Sequence, residues 1–136
     1  MLNFKEAKTR VDEVIRPTHL SYSDYFSNVC NNNVYIKPEN LQKTGSFKLR
    51  GAYNKLSKLD AKSKEVGIIT ASAGNHAQGV AYSANKLGID AIICMPEQTP
   101  MIKVDGTLKY GAKVDLYGKS FDECKDLSLI HISDGA

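Results

Sequence analysis

Helical spacing and short apolar runs take turns along this chain. Asn3 followed three residues later by Glu6 has the form of an N-cap and capping box; Phe4, Ala7, Val11 and Val14 then recur at helical spacing until Pro17 stops the pattern. A loop through Asn31, Asn32 and Asn33 leads to a strand at Val34, Tyr35 and Ile36, closed by Pro38. From Ser46, a residue able to cap, SFKLRGAYNKLSKL predicts a helix with Phe47, Leu56 and Leu59 on one side. The β-branched run Val66 to Thr70 predicts a strand. After it, GNHAQGVAYSANKLG places Ala77, Val80, Ala81, Ala84 and Leu87 on one helical stripe and stops at Gly88. Ala91 to Met95 is a strand closed by Pro96, Met101 to Tyr110 a further helix, and Lys113 to Tyr117 a strand. Strands alternating with helices of this length predict βαβ units. The fold class is therefore α/β, an open, mainly parallel sheet flanked by helices. The chain shows no internal repeat and no low-complexity linker.

Composition narrows the class further. The 136 residues suit one domain that buries roughly 68% of its unfolded surface. The hydrophobic share of 42% and charged share of 24% are those of a globular protein. A net charge of +3, from lysines spread along the chain, argues against a nucleic-acid partner. No stretch approaches 18 consecutive apolar residues and the first ten carry scattered charges, so no membrane association and a cytoplasmic location are expected. Cys30, Cys94 and Cys124 are odd in number and far apart, which predicts reduced structural thiols. His19, His76 and His131 lack metal-ligand spacing, and no metal is expected.

Two segments put small or polar residues at a loop-to-helix junction, where free N–H groups and the helix dipole hold anions: TGSFKLRGA and ASAGNHAQG. In the first, Lys48 falls in the opening helical turn. The positive helix end disfavours an ammonium there, and a neutral amine is what Schiff-base chemistry requires. In the second, Ser72, Ala73, Gly74, Asn75 and His76 follow a strand end, where open parallel sheets bind ligands. For each the bland reading is a solvated lysine and an ordinary turn. Gly118, Lys119 and Ser120 look like the end of a P-loop, but the glycine such a loop needs would fall at Lys113, so nucleotide binding is rejected. Arg50 and Lys43 read as solvated charges or dipole partners, His76 as a positional hydrogen-bonding group, and Tyr53 and Tyr82 as core.

KPENLQKTGSFKLRGA, TASAGNHAQGVAYSA and MPEQTPMIKVDGTLKYGAKVDLYGKSFDE together resemble the fold-type II pyridoxal-phosphate enzymes, and within them the threonine dehydratases. The resemblance implies that Lys48 forms the internal aldimine with pyridoxal 5'-phosphate, that Asn75 contacts the pyridoxal 3-hydroxyl, and that the loop Ser72, Ala73, Gly74, Asn75 and His76 cradles the substrate carboxylate. His76 after the asparagine favours a dehydratase over cysteine and threonine synthases; Ala73, Ala77 and Gly79 favour it over serine racemases, whose loop reads SSGNHGQA.

The implied reaction is β-elimination, in which Lys48 takes the Cα proton of L-threonine, or of L-serine, water leaves, and a 2-oxo acid and ammonia result. Isoleucine biosynthesis and a homo-oligomeric parent are further implications. The resemblance runs to about residue 125, taken as the N-terminal part of the catalytic unit, and residues 126–136 (DLSLIHISDGA) are expected to be a tail outside the family pattern. The cofactor's glycine-rich phosphate loop would lie further along than this chain reaches. The expectation is thus a truncated catalytic unit, itself inactive, with a serine racemase-like enzyme and a non-catalytic α/β fragment as alternatives. Preference between threonine and serine, a regulatory domain and the oligomeric state stay open.

Overall fold

Alternation along Ala91–Met95 sets the core. Ala91, Ile93 and Met95 point to one face and Cys94 to the other, and all four are buried, so this strand is covered on both sides. The computed structural model describes residues 3–133, with side chains in the last helix as far as Leu129. The strand, β4, is the middle of a three-stranded parallel sheet of β3 (Ile68–Ala71), β4 and β5 (Lys113–Leu116), in that order. Ala71 pairs with Cys94 and Met95 with Leu116, so the three strands end together along one edge.

Helices α5 (Asn75–Leu87) and α6 (Met101–Leu108) connect these strands. Ala77, Val80, Ala81 and Ala84 of α5 join Ala91, Ile93 and Met95 in one cluster, the stripe expected from spacing. Gly88 stops α5 at φ 67°, a left-handed conformation that glycine adopts without steric cost. On the other face α7 (Phe121–Ser133) packs against β3 and β4, its Cys124 buried near Cys94. Ser120 Oγ accepts the Glu123 N–H at 3.3 Å and the Glu123 carboxylate accepts the Lys119 N–H at 2.7 Å. The rejected GKS triplet is thus the cap of a helix.

The first third of the chain lies outside this sheet. Asn3 caps α1 (Phe4–Asp12) through the Glu6 N–H, as its position suggested, a contact worth about 1 kcal/mol. Two short strands, β1 (Ser21–Tyr22) and β2 (Tyr35–Ile36), pair antiparallel around α2 (Asp24–Cys30), and a short 3-10 turn spans Glu39–Leu41. Helix α3 (Lys48–Leu56) lies against both α1 and α5, burying Leu49, Ala52, Tyr53 and Leu56, and α4 (Ala61–Val66) leads into β3. Phe47 departs from the expected apolar side, being 59% exposed, because it precedes the helix and lies off its buried stripe. The side chain of Gln42 both donates to the Arg16 carbonyl, at 2.5 Å, and accepts the Arg16 N–H, at 3.0 Å, pinning the segment that follows α1. No helix among the described residues is long and apolar enough to cross a membrane, and none of their His, Cys, Asp and Glu side chains gather in threes to hold a metal.

Candidate active site

The edge where the strands end carries the Ser72–His76 turn. The Ser72 N–H donates to the Cys94 carbonyl at 3.0 Å, prolonging the β3–β4 pairing by one residue. Its hydroxyl oxygen then accepts the N–H groups of Ala77, at 3.2 Å, and Gly74, at 3.4 Å. Gly74 stands at the N-cap with no side chain to offer, so Ser72 caps α5 from two residues further back. The N–H groups of Ala73, Asn75 and His76 carry no hydrogen bond among the described residues. These three open amides stand at the positive end of a 13-residue helix, where backbone N–H groups and the helix dipole favour negative charge.

Lys48 sits in the first turn of α3, and its N–H donates to Ser46 Oγ at 3.3 Å. Ser46 thus serves the helix start as expected, one position earlier than the formal N-cap Phe47. The Lys48 side chain is solvent-exposed, with Nζ over the Phe47 ring at 5.2 Å from its centroid. The main chain of Lys48 and Leu49 lies directly on Gly79 of α5, one turn past Asn75. Desolvation of the ring, and after it the charge of Lys48, hold the His76 imidazole below its ordinary pKa. Lys48 and the α5 N-terminus thus share one electrostatic neighbourhood.

Asn75 is exposed at the start of α5, its carboxamide able both to donate and to accept. An accessible primary amine, an exposed carboxamide and free N–H groups at a helix start suit an aldehyde cofactor carrying a phenolic oxygen and an amino-acid carboxylate. On their chemistry the residues present fit pyridoxal phosphate and its substrate.

Three features of this neighbourhood lie outside what patterning singled out. The Phe47 ring beneath the Lys48 ammonium is one. The Gly79 contact is the second, and the third is a pair of buried, unpartnered hydroxyls, Thr44 and Thr99, in the loops that lead into α3 and α6. Motif spacing held a signal only for Gly79. Arg50, read as a solvated charge or dipole partner, forms a two-point ion pair with Glu39, at 2.7 and 2.9 Å, and Thr18 donates to the same carboxylate at 2.6 Å. That pairing, opposed by desolvation, holds Glu39 at about 2.

Comparison with known proteins adds independent findings. The family described as pyridoxal-phosphate dependent enzyme matches residues 11–133. The L-threonine dehydratase catabolic TdcB of Staphylococcus aureus is 54% identical over 124 residues, which are 90% of this chain and 36% of that protein. The L-threonine ammonia-lyase of Thermotoga maritima is 47% identical over 127 residues, 93% of this chain and 32% of its own length. Among solved structures, the processed form of threonine deaminase isoform 2 from Solanum lycopersicum superposes with a TM-score of 0.85 at 40% identity, covering 98% of this chain and 39% of that one. Maize serine racemase gives 0.88 at 32% identity, covering 97% and 40%. The chain therefore spans about a third of the length of these curated relatives.

Proposed function

The chain belongs to the pyridoxal-phosphate dependent enzyme family, and from that premise we propose that it is the amino-terminal catalytic part of a threonine dehydratase. The reaction is the removal of water and ammonia from L-threonine, and from L-serine, to leave a 2-oxo acid, and it belongs to a protein of the relatives' length. One observation carries the reading: the exposed Lys48 amine stands at a helix start seated on the same helix whose N-terminus opens three free amides. The 54% identity to a protein named threonine dehydratase supports the substrate class.

Bound at Lys48, pyridoxal phosphate supplies an aldehyde that condenses with amines and a ring that takes up the electrons of a broken Cα bond. The chain's own residues do the rest. The N–H groups of Ala73, Asn75 and His76 bind the substrate carboxylate and so fix the direction of its Cα–H bond. Lys48 Nζ is the base that receives the Cα proton and delivers it to the leaving hydroxyl. The Asn75 carboxamide orients the ring through its phenolic oxygen. Desolvation and the Lys48 charge hold the His76 ring below its ordinary pKa, which limits the positive charge beside the amine.

A racemase shares the shape, with a TM-score of 0.88, but its 32% identity is below the 40% of the Solanum lycopersicum threonine deaminase and the 54% of the Staphylococcus aureus protein. Free thiols at Cys30, Cys94 and Cys124 suit the cytoplasm. Self-association of the longer parent is part of the same reading, supported by exposed apolar residues around β1 and β2. A place in isoleucine biosynthesis would follow from 2-oxobutanoate as product, whereas "catabolic" in the relative's name points to threonine breakdown.

The test is a chimera in which residues 11–133 replace the matching part of the Thermotoga maritima enzyme. It is expected to release 2-oxobutanoate from L-threonine, and Lys48→Ala within it to lose about a hundredfold to ten-thousandfold in kcat. A folded chimera that yields D-serine from L-serine and no 2-oxo acid, or that is indifferent to Lys48→Ala, overturns the reading.

A further inference from the structure

We propose that Gly79 is a positioning residue for Lys48: by lacking a side chain it lets the first turn of α3 seat on α5, and so holds the Lys48 amine at the Asn75–His76 end of that helix. This rests on the role given to Lys48 above and deepens it.

A Cβ placed on Gly79 would lie 3.1 Å from the Lys48 carbonyl carbon, 3.1 Å from the Leu49 nitrogen and 3.3 Å from the Lys48 carbonyl oxygen. Carbon atoms at rest stand about 3.5 to 4.0 Å from their neighbours, so α3 would have to withdraw. All three atoms are main chain at the start of a helix, and none can rotate aside. Gly106 supplies the contrast: its Cβ would meet Gln78 Nε2 at 2.8 Å, the tip of a flexible side chain that can swing away.

The strain cannot be taken up on the α5 side. Ala77 and Ser83 are fully buried, and the Ser83 hydroxyl donates to the Gly79 carbonyl at 2.6 Å, fixing this turn of α5 from within. Gly79 and Asn75 are four residues apart and therefore share a helix face. Any separation inserted at position 79 is a separation of Lys48 from Asn75 and His76. After desolvation, the Lys48 charge is the second influence that lowers the His76 pKa, so the two side chains lie within electrostatic reach of one another.

The experiment uses the 136-residue chain as wild type, Gly79→Ala, Gly106→Ala and Lys48→Met. Each is treated with pyridoxal 5'-phosphate and borohydride, and label at Lys48 relative to the other lysines is read by peptide mass spectrometry. Separately, the His76 ring is titrated by NMR without cofactor. Gly79→Ala is expected to cut the relative labelling of Lys48 about tenfold, as sub-ångström to ångström displacement of a reacting group does, and to raise the His76 midpoint in the same direction as Lys48→Met. Gly106→Ala should change neither. Wild-type labelling together with a wild-type His76 midpoint in folded Gly79→Ala overturns the proposal. Loss of the fold on adding that one carbon overturns it too, since Gly79 would then serve the core at large. If wild-type Lys48 shows no preferential labelling, the functional reading fails instead, and the His76 midpoint alone decides on Gly79.

Discussion

The block of β3, β4, α5 and α3 and the smaller unit of β1, α2 and β2 are both made of helix and strand, yet they handle apolar side chains in opposite ways. In the block, Ile93, Met95, Leu49 and Ala77 have no exposed surface. In the small unit, Tyr22, Tyr25, Phe26, Val29, Tyr35 and Ile36 are all exposed, Tyr25 by 72%. Its order comes from other sources. Tyr22 and Tyr35 meet edge to face at 5.4 Å across the two strands, the Ser27 hydroxyl accepts the Val34 N–H at 2.9 Å, and the Ser23 N–H donates to the Val34 carbonyl at 3.0 Å. Aromatic and β-branched residues make a core only when a second layer covers them. The block has that layer on both faces of its sheet.

The contrast can be broken most forcefully in the block. Ile93→Ala should cost about 2 to 5 kcal/mol of unfolding free energy, read by urea denaturation, because the cavity lies between sheet and helix with no slack. A loss under about 1 kcal/mol would show that the sheet face is loosely packed.

The tie between the two regions comes next. Glu39, just past β2, is held by Arg50 of α3 and by Thr18. Glu39→Gln should cost about 2 kcal/mol at neutral pH, less than its pKa displacement converts to, because water screens a pair whose side chains are 16% and 30% exposed. The sign is fixed by linkage. The folded-state value of about 2 lies below the ordinary 4.5, so the stabilisation is complete above that range and drains away as pH falls from about 4.5 to about 2. The stability gap between wild type and variant should narrow steadily as pH falls from about 4.5 to about 2; a gap as wide at pH 2 as at pH 7 would deny the ion pair this role.

The smallest effect is expected in the small unit. Tyr25→Lys combined with Val29→Lys should change unfolding free energy by no more than about 0.5 kcal/mol, since both side chains already face water. Concentration-dependent association, read by light scattering, should fall. A large stability loss would mean that these residues are packed after all.

How far the sequence foretold this structure follows the same divide. Strand β4 and helix α5 were legible from end to end, because a covered strand is apolar throughout and a half-buried helix shows a clean stripe ended by Gly88. Helix α2 gave no such stripe: its one buried residue is Ser27, and its apolar residues lie outside. Helix α4 buries nothing at all, and α7, which falls partly in the segment set aside as a tail, presents Cys124 and Ser128 inward rather than large aliphatic residues. In the site, Lys48 and the Ser72–His76 turn were visible as loop-to-helix junctions. The closeness of α3 to α5 at Gly79 was not, since periodicity tells which face a residue occupies and not how near the next helix stands.

The sulfur atoms repeat this division in a useful form. Cys94 and Cys124 lie wholly inside, with burial pushing the Cys94 thiol up to about 11, while Cys30 ends α2 at the surface. The folded chain thus presents a dye or spin label with one reactive attachment point, already seated on the small unit, from which its movement against the sheet can be followed without altering a single residue.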